Sequence, residues 1–206
     1  MKKSTLTVLA LAGLISASSA FADDHGFYVL GGVGKVTGGD GGQSSIDNAL
    51  GTAGGGGFSS SMDNPTVYRL QGGYQLNQNW AVEGGYLGSS NTNYSASGGN
   101  LPGTVTSSGS LSGWNVTGVG ILPLANKFSL VGKLGVANMQ ESADVSAGNF
   151  STSTGGSKTD ATYGVGLKYD FNNATFIRAD LDSYNIGNSN GSSRSTIGTI
   201  NVGYKF

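Results

Sequence analysis

The sequence predicts an all-β fold: an eight-stranded antiparallel transmembrane up-and-down β-barrel with short periplasmic turns and long extracellular loops. Three observations lead to this prediction. Segments of about ten residues alternate between apolar and polar side chains, as strands that cross a membrane do. The connections between these segments are alternately short and long. After the N-terminal region, no segment holds the run of about 20 apolar residues that a membrane-spanning helix needs.

The N-terminal region has the three parts of a secretory signal peptide. Lys2 and Lys3 form a basic start, an apolar run extends from Leu6 to Ile15, and small residues lead to Ala20-Phe21-Ala22. The apolar run is too short for a membrane anchor. We therefore predict a signal peptide at residues 1–22, removed on export, and a single barrel domain at residues 23–206.

Composition narrows the class of protein further. Without Lys2 and Lys3 the chain has nine basic and 12 acidic residues, a net charge of −3. It has no basic stripe, which argues against nucleic acid as a partner. The chain contains no Cys, so an exported domain of this size needs another source of stability, and a closed barrel in lipid supplies one. The 37 Gly and the low charge would suit a disordered chain, but the regularly spaced Tyr and Phe residues would not.

The clearest predicted strand runs from Thr66 to Leu76. Tyr68, Leu70 and Tyr74 fall on one face, and Arg69 and Gln71 fall on the other. Six later strands are predicted around apolar positions that alternate with polar ones: Trp80, Val82 and Tyr86; Trp114, Val116 and Leu122; Phe128, Leu130, Leu134 and Val136; Tyr163, Val165, Leu167, Tyr169 and Phe171; Ile177, Ala179 and Leu181; and Ile200, Val202, Tyr204 and Phe206.

The first strand, Phe27 to Val36, is less regular because both of its faces carry apolar residues. Its one charge, Lys35, is predicted to face inward beside Phe27, Val29 and Val33.

The connections predict the orientation of the barrel. Residues 77–79, 123–127 and 172–174 are short turns of turn-forming residues, whereas residues 37–64, 91–109 and 139–159, with a shorter stretch at 187–193, are long and polar. Outer-membrane barrels place short turns in the periplasm and long loops outside. Aromatic residues near the strand ends fit the girdles found at both membrane surfaces. We therefore expect an integral protein of the bacterial outer membrane.

Several short motifs resemble a known family. The C-terminal Tyr204-Lys205-Phe206 is similar to the terminal strand signal of outer-membrane barrels. Four further pieces resemble strands three, five, six and seven of the OmpA-type transmembrane barrel and its OmpX-like relatives: Glu83-Gly84-Gly85-Tyr86, Lys133-Leu134-Gly135, Gly166-Leu167-Lys168-Tyr169 and Arg178-Ala179-Asp180-Leu181. The resemblance implies the barrel fold. OmpA itself continues into a periplasmic peptidoglycan-binding domain, but this sequence stops at the barrel, so a cell-wall tether is not implied.

The alternation also predicts a set of charges that face the barrel interior. An eight-stranded barrel is just wide enough for its own side chains, and a buried unpaired charge is costly, so these charges should pair with one another. The alternative is a selective ion path. The predicted lumen charges are Lys35, Arg69, Glu83, Lys133, Lys168, Asp170, Arg178, Asp180 and Asp182.

The sequence favours a structural or surface-interaction barrel that displays polar loops outside the cell. The alternative is a small pore or carrier for ions or small hydrophobic molecules. A lipid-modifying enzyme is less favoured, because the single His, His25, precedes the first strand and a Ser–His pair needs direct contact. No catalytic, cofactor or metal residues are predicted. The expected partners are outer-membrane lipid and lipopolysaccharide, the outer-membrane assembly machinery and an unidentified extracellular ligand.

Overall fold

A computed structural model of the chain describes residues 25–38, 43–101, 103–147, 150–188 and 191–206. The predicted signal peptide, residues 1–22, lies outside this part. The elements of the described part are β1 (Gly26–Gly38), α1 (Gln43–Thr52), β2 (Ser59–Met62), β3 (Thr66–Gln75), β4 (Trp80–Ser89), β5 (Thr92–Ser97), β6 (Val105–Pro123), β7 (Phe128–Ala147), β8 (Phe150–Asp170), β9 (Thr175–Asn188) and β10 (Gly191–Lys205).

Eight of these strands close into an antiparallel barrel, which confirms the predicted fold. Their order around the barrel is β1, β3, β4, β6, β7, β8, β9 and β10. The barrel closes because β10 pairs with β1, with Tyr204 opposite Val29 and Val202 opposite Gly31. Closure leaves no free edge in the wall, so every strand of the barrel has a hydrogen-bonded neighbour on both sides.

The outer face of the barrel carries an apolar band with aromatic residues at both borders. Val82, Leu134 and Val165 are exposed near its middle. Such a band, about 25 Å tall in known barrels, is the surface that contacts lipid. No helix in the described ranges is long and apolar enough to cross a membrane. The aromatic residues at the short-turn border are Phe27, Tyr74, Trp80, Phe128, Tyr169 and Tyr204, and those at the opposite border are Tyr68, Tyr86, Trp114 and Tyr163.

Strand β1 faces the opposite way from the prediction. Tyr28 and Leu30 are buried in the interior, whereas Phe27 and Val33 are 67% and 61% exposed on the outside. Lys35 shares their face and is exposed, so its predicted inward position is wrong. The choice is set by side-chain partners that alternation cannot reveal: inside, the Tyr28 hydroxyl donates to Glu83, and outside, the Phe27 ring contacts that of Tyr74.

The predicted extracellular loops at 91–109 and 139–159 are instead largely strand. Strands β6, β7 and β8 continue beyond the apolar band, and β5 and β2 add to the edge of β6. The result is a five-stranded antiparallel sheet in the order β2, β5, β6, β7, β8, which we call the extracellular sheet. Helix α1, in the first long connection, lies against β2 and β5 at one end of this sheet.

Candidate functional site

The barrel interior is built from three layers of side chains. Along each strand, the inward-facing side chains lie at successive levels of the barrel axis. On β7, Lys133 lies between Val131 and Ala137, and on β4, Glu83 lies between Ala81 and Leu87. The charged residues therefore form a layer between two apolar clusters. The cluster nearer the short turns contains Tyr28, Leu30, Ala81, Val119, Ile121, Val131 and Phe176. The cluster nearer the extracellular sheet contains Val67, Leu87, Ala137, Met139, Tyr184 and Ile197.

One half of the charged layer is centred on Glu83, which is fully buried. Its carboxylate accepts hydrogen bonds from both terminal nitrogens of Arg178, one of them at 2.9 Å, in a bidentate pair. The Tyr28 hydroxyl donates a third hydrogen bond at 2.6 Å. Arg178 also donates from Nε to Asp180 at 3.0 Å, which links this pair to the other half of the layer.

The other half joins two cations to two carboxylates. Lys133 Nζ lies 2.6 Å from Asp182 Oδ1 and 3.1 Å from Asp180 Oδ2. Arg69 pairs with the same two carboxylates, at 3.3 Å from Asp180 Oδ2 and 2.5 Å from Asp182 Oδ2. The charged layer thus contains three cations and three carboxylates, all nearly inaccessible to solvent, and its formal charge is zero.

Glycines on β8 provide the space for these carboxylates. A Cβ atom added to Gly164 would clash with the Asp182 carboxylate, and one added to Gly166 would clash with that of Asp180. The wall of the barrel is therefore fitted to this charge arrangement as well as to its own strand pairing.

Uncharged polar side chains complete the layer and were not among the predicted site residues. The Tyr184 hydroxyl accepts hydrogen bonds from Arg69 and Asn115, and Asn201 donates to Asp180 at 3.1 Å. Gln71 donates to Asn115 at 3.1 Å. The sequence did signal Gln71, Asn115 and Asn201, because each falls on the polar face of its strand. Tyr184 was less evident, although it follows Asp182 on the same face.

Besides Lys35, which is on the outer face, two of the predicted residues lie apart from this layer. Lys168 and Asp170 pair at 3.0 Å near the short-turn rim, and Lys205 reaches Asp170 at the same distance. Both ammonium groups also lie within 6 Å of the Phe176 ring, at 5.5 Å for Lys168 and 5.8 Å for Lys205. This cluster covers the apolar layer on the periplasmic side.

The described residues contain no group of three or more His, Cys, Asp or Glu side chains placed to hold a metal ion. All three carboxylates of the charged layer are held by cations. His25 is exposed just before β1. The chemistry that this interior supports is charge pairing and close packing.

A second polar cluster joins helix α1 to the extracellular sheet. Asp47 of α1 accepts a hydrogen bond from the Tyr94 hydroxyl at 2.5 Å and from Ser60 Oγ at 2.9 Å, and Gln43 donates to Ser60 at 3.0 Å. Tyr94 is only 2% exposed. Its burial, together with the hydrogen bond to Asp47, raises the pKa of Tyr94 to about 12.

The outer face of the extracellular sheet is covered mainly by hydroxyl and amide side chains. This face continues the lipid-facing surface of the same strands. On β6, the outward-facing residues are the apolar Val116 and Trp114 within the membrane band and the polar Ser110 and Thr106 in the extracellular sheet. Exposed residues on the neighbouring strands continue this face: Ser95 and Ser97 on β5, Gln140, Ser142 and Ser146 on β7, and Ser151, Ser153, Ser157 and Thr159 on β8.

Comparisons with known proteins agree with this architecture. The sequence model of a family described as outer membrane protein beta-barrel domain matches residues 7–206. Ail, the attachment invasion locus protein of Yersinia pestis, solved in complex with the heparin analogue sucrose octasulfate, is 18% identical, with 89% of this chain and 99% of that chain covered and a TM-score of 0.51. OprG from Pseudomonas aeruginosa is 16% identical, with 89% and 97% covered and a TM-score of 0.52. No curated protein sequence matches the chain. At these identities the two structures establish likeness of fold.

Proposed function

We propose that this chain, which belongs to the family of outer membrane protein β-barrel domains and is an integral outer-membrane protein, is a sealed barrel that anchors the extracellular sheet at the cell surface. The observation that carries the proposal is the filled interior. A paired, neutral charge layer lies between two apolar layers, each of which contains a large buried ring, Phe176 in one and Tyr184 in the other. Water-filled barrels have polar interiors and more strands, whereas an eight-stranded barrel is filled by its own side chains.

Single-channel recording in planar lipid bilayers tests whether the barrel is sealed. We expect no steady conductance steps from the wild type. The matched variant replaces Phe176 and Tyr184 together with Ala, which removes one large ring from each apolar layer; we expect it to conduct. Retention of the fold is checked by the difference in gel mobility between heated and unheated samples. Steady steps from the wild type would instead favour the alternative function, a small pore.

The extracellular sheet is the part of the protein that can meet a partner outside the cell. Beyond the apolar band, the described residues include five acidic side chains and two basic ones. The basic residues are Lys158 and Arg194, and the acidic residues are Asp47, Asp63, Glu141, Asp144 and Asp160. Ail was solved with a polyanionic heparin analogue. Because like charges repel, this acidic, hydroxyl-bearing surface suits a neutral or cationic partner better than a polyanion.

Calorimetric titration of the detergent-solubilised protein with sucrose octasulfate tests this preference. We expect no binding. A second titration uses a variant with Asp144 and Asp160 both changed to Lys, and weak binding there would show that charge excludes the polyanion. Saturable binding to the wild type on the extracellular sheet would contradict the proposed preference.

We further propose that residues 1–22 are removed on export and that the mature protein begins at Asp23. The motif Ala20-Phe21-Ala22 supports this cleavage site. Intact mass measurement of the protein purified from outer membranes tests it, and a mass that includes Lys2 and Lys3 would contradict it.

A further inference from the structure

The outer wall of the barrel contains a groove of about 700 Å³ within the apolar band. Outward-facing side chains line it, including Val33 on β1, Leu181 on β9 and Ile200 on β10. The depression arises because Gly198 of β10 and Ala179 of β9 are small residues at positions where their neighbours carry large side chains. A groove at this depth of the wall is in contact with lipid acyl chains rather than water.

Lys35 lies at the outer end of this groove and lines it. Its neighbour in the outward row, Val33, is paired with Tyr68 of the aromatic border, so Lys35 lies at the level of the outer-leaflet headgroups. Among the described residues, no carboxylate lies within ion-pair distance of Lys35, whereas the six charges of the interior layer all have partners. A lysine in this position extends its apolar stem along the wall and its ammonium group toward the headgroups.

A second cation lies further out on the same wall. Gly198 is directly opposite Lys35 in the β1–β10 ladder, and Arg194 is four residues beyond Gly198 on β10, which is about 13 Å along the strand. Arg194 is exposed, and its guanidinium group lies 5.0 Å from the centre of the Tyr163 ring. The ring holds the guanidinium on the outer surface, where it faces the headgroup layer.

We propose that this groove is a binding site for one phosphorylated lipid of the outer leaflet. One acyl chain occupies the groove over Gly198 and Ala179. A phosphate of the headgroup pairs with Lys35, and Arg194 offers a second cationic contact to the same headgroup. These charges favour a phosphate over a zwitterionic headgroup, because within the described part of the chain neither Lys35 nor Arg194 forms an ion pair with a carboxylate, whereas Asp160 pairs with Lys158 and Asp180 with the cations of the charged layer.

The groove distinguishes such a site from ordinary contact with bulk lipid. Elsewhere on the band, large side chains such as Leu134 and Trp80 project from the wall. A bound chain gains contact area along the groove, and a headgroup gains attraction to fixed charge at one end. Both gains apply to the same lipid molecule, so that lipid should stay bound when surrounding lipids are replaced.

The test is native mass spectrometry of the detergent-solubilised protein with two added lipids, phosphatidylglycerol and phosphatidylcholine of identical acyl chains. We expect the wild type to bind the anionic lipid about fivefold more tightly, the ratio that corresponds to the roughly 1 kcal/mol gained per cation near an anionic surface. Lys35→Ala should lose most of this preference. Lys127→Ala, which removes one cation from a short periplasmic turn, is the matched control and should keep it.

A second variant tests the position of the acyl chain. In Gly198→Leu, the new Cβ would lie 3.0 Å from Thr37 Cγ2 and 3.3 Å from Leu181 Cδ2, and both of these side chains can move away. The variant should fold, and by filling the groove it should weaken the adducts of both lipids. Equal binding of the two lipids to the wild type would overturn the proposal. So would an unchanged preference in Lys35→Ala, equal losses in Lys35→Ala and Lys127→Ala, or full binding of both lipids to Gly198→Leu.

Discussion

Replacing Glu83 with Ala should destabilise the barrel more than any loss of packing alone would suggest. The change removes the bidentate partner of Arg178 and the acceptor of the Tyr28 hydroxyl, both of which are buried. The charged layer then holds three cations against two carboxylates, and Asp180 is already shared among Arg178, Arg69 and Lys133. Breaking a buried pair by removing one partner costs about 3–5 kcal/mol.

The assay is urea unfolding of the mature protein in lipid vesicles, followed by tryptophan fluorescence of Trp80 and Trp114. A double variant, Glu83→Ala with Arg178→Ala, returns the layer to a formal charge of zero. It should be more stable than the sum of the two single losses predicts, by about 0.5–3 kcal/mol. Glu141→Ala is a matched control, because Glu141 lies on the extracellular sheet outside the charged layer, and its effect should stay within about 0.5 kcal/mol.

Two results would refute this account of the interior. The first is a free energy of unfolding for Glu83→Ala within about 1 kcal/mol of the wild type, well below the cost of a broken buried pair. The second is strict additivity of the Glu83 and Arg178 losses, since independent charges in a wet lumen would not couple.

Three further predictions concern the lipid-facing wall, helix α1 and the short-turn rim. Leu134→Arg places a charge in the apolar band and should cost about 2–4 kcal/mol in the same urea assay, whereas Gln140→Arg, further out on the same face of β7, should be nearly neutral; equal costs would contradict the assigned membrane level. The neutral form of Tyr94 is favoured in the folded state, so its contribution to stability is complete below the ordinary tyrosine pKa of about 10 and is lost as the pH rises through its folded pKa of about 12. Subtracting the absorbance titration of Tyr94→Phe from that of the wild type should give a midpoint near 12, and a midpoint near 10 would show that Tyr94 is not held by Asp47. Asp170→Ala leaves Lys168 and Lys205 without their shared carboxylate; the loss should be smaller than for Glu83→Ala, because the rim is partly exposed, and a larger loss would contradict the difference in burial.

Alternation predicted the strands of the membrane band because lipid imposes a strict contrast between the two faces. The strand predicted at Thr66 to Leu76 is β3, Thr66–Gln75, and the inward positions of Arg69 and Glu83 follow from the same pattern. The pattern failed for β1, where both faces are apolar and the choice between them depends on Tyr28 meeting Glu83 across the lumen. Periodicity predicts the face of the strand on which a side chain lies, but not its level along the barrel axis or its partner. The sequence therefore could not show that Lys168 and Asp170 lie apart from the central charged layer.

The extracellular sheet was missed for a related physical reason. Once β7 passes Val136 it leaves lipid, and its outward row becomes Gln140, Ser142 and Ser146. Its other face carries Glu141 as well as Ala143 and Val145, so the contrast between the two faces is weaker than in the membrane band. Sequences of this kind resemble flexible loops in composition, and here strand pairing along β6 and β8 determines the structure instead.

The length of that continuation bears on the function of the protein. From Val136 to Ala147, β7 extends about 37 Å along its axis, and a tilt of about 40° places its end about 28 Å above the membrane surface. The extracellular sheet has only a small buried apolar group of its own in its described part, Tyr94, Ala96 and Val105, so we infer that it depends on support from the barrel. The closed barrel provides this support, because β6, β7 and β8 run without a break from the charged layer, through the band, into the extracellular sheet. The interior and the sheet are therefore parts of one mechanical unit. This continuity, together with the paired and filled lumen, supports the proposed function, in which the barrel anchors the extracellular sheet above the lipid, over transport through the lumen.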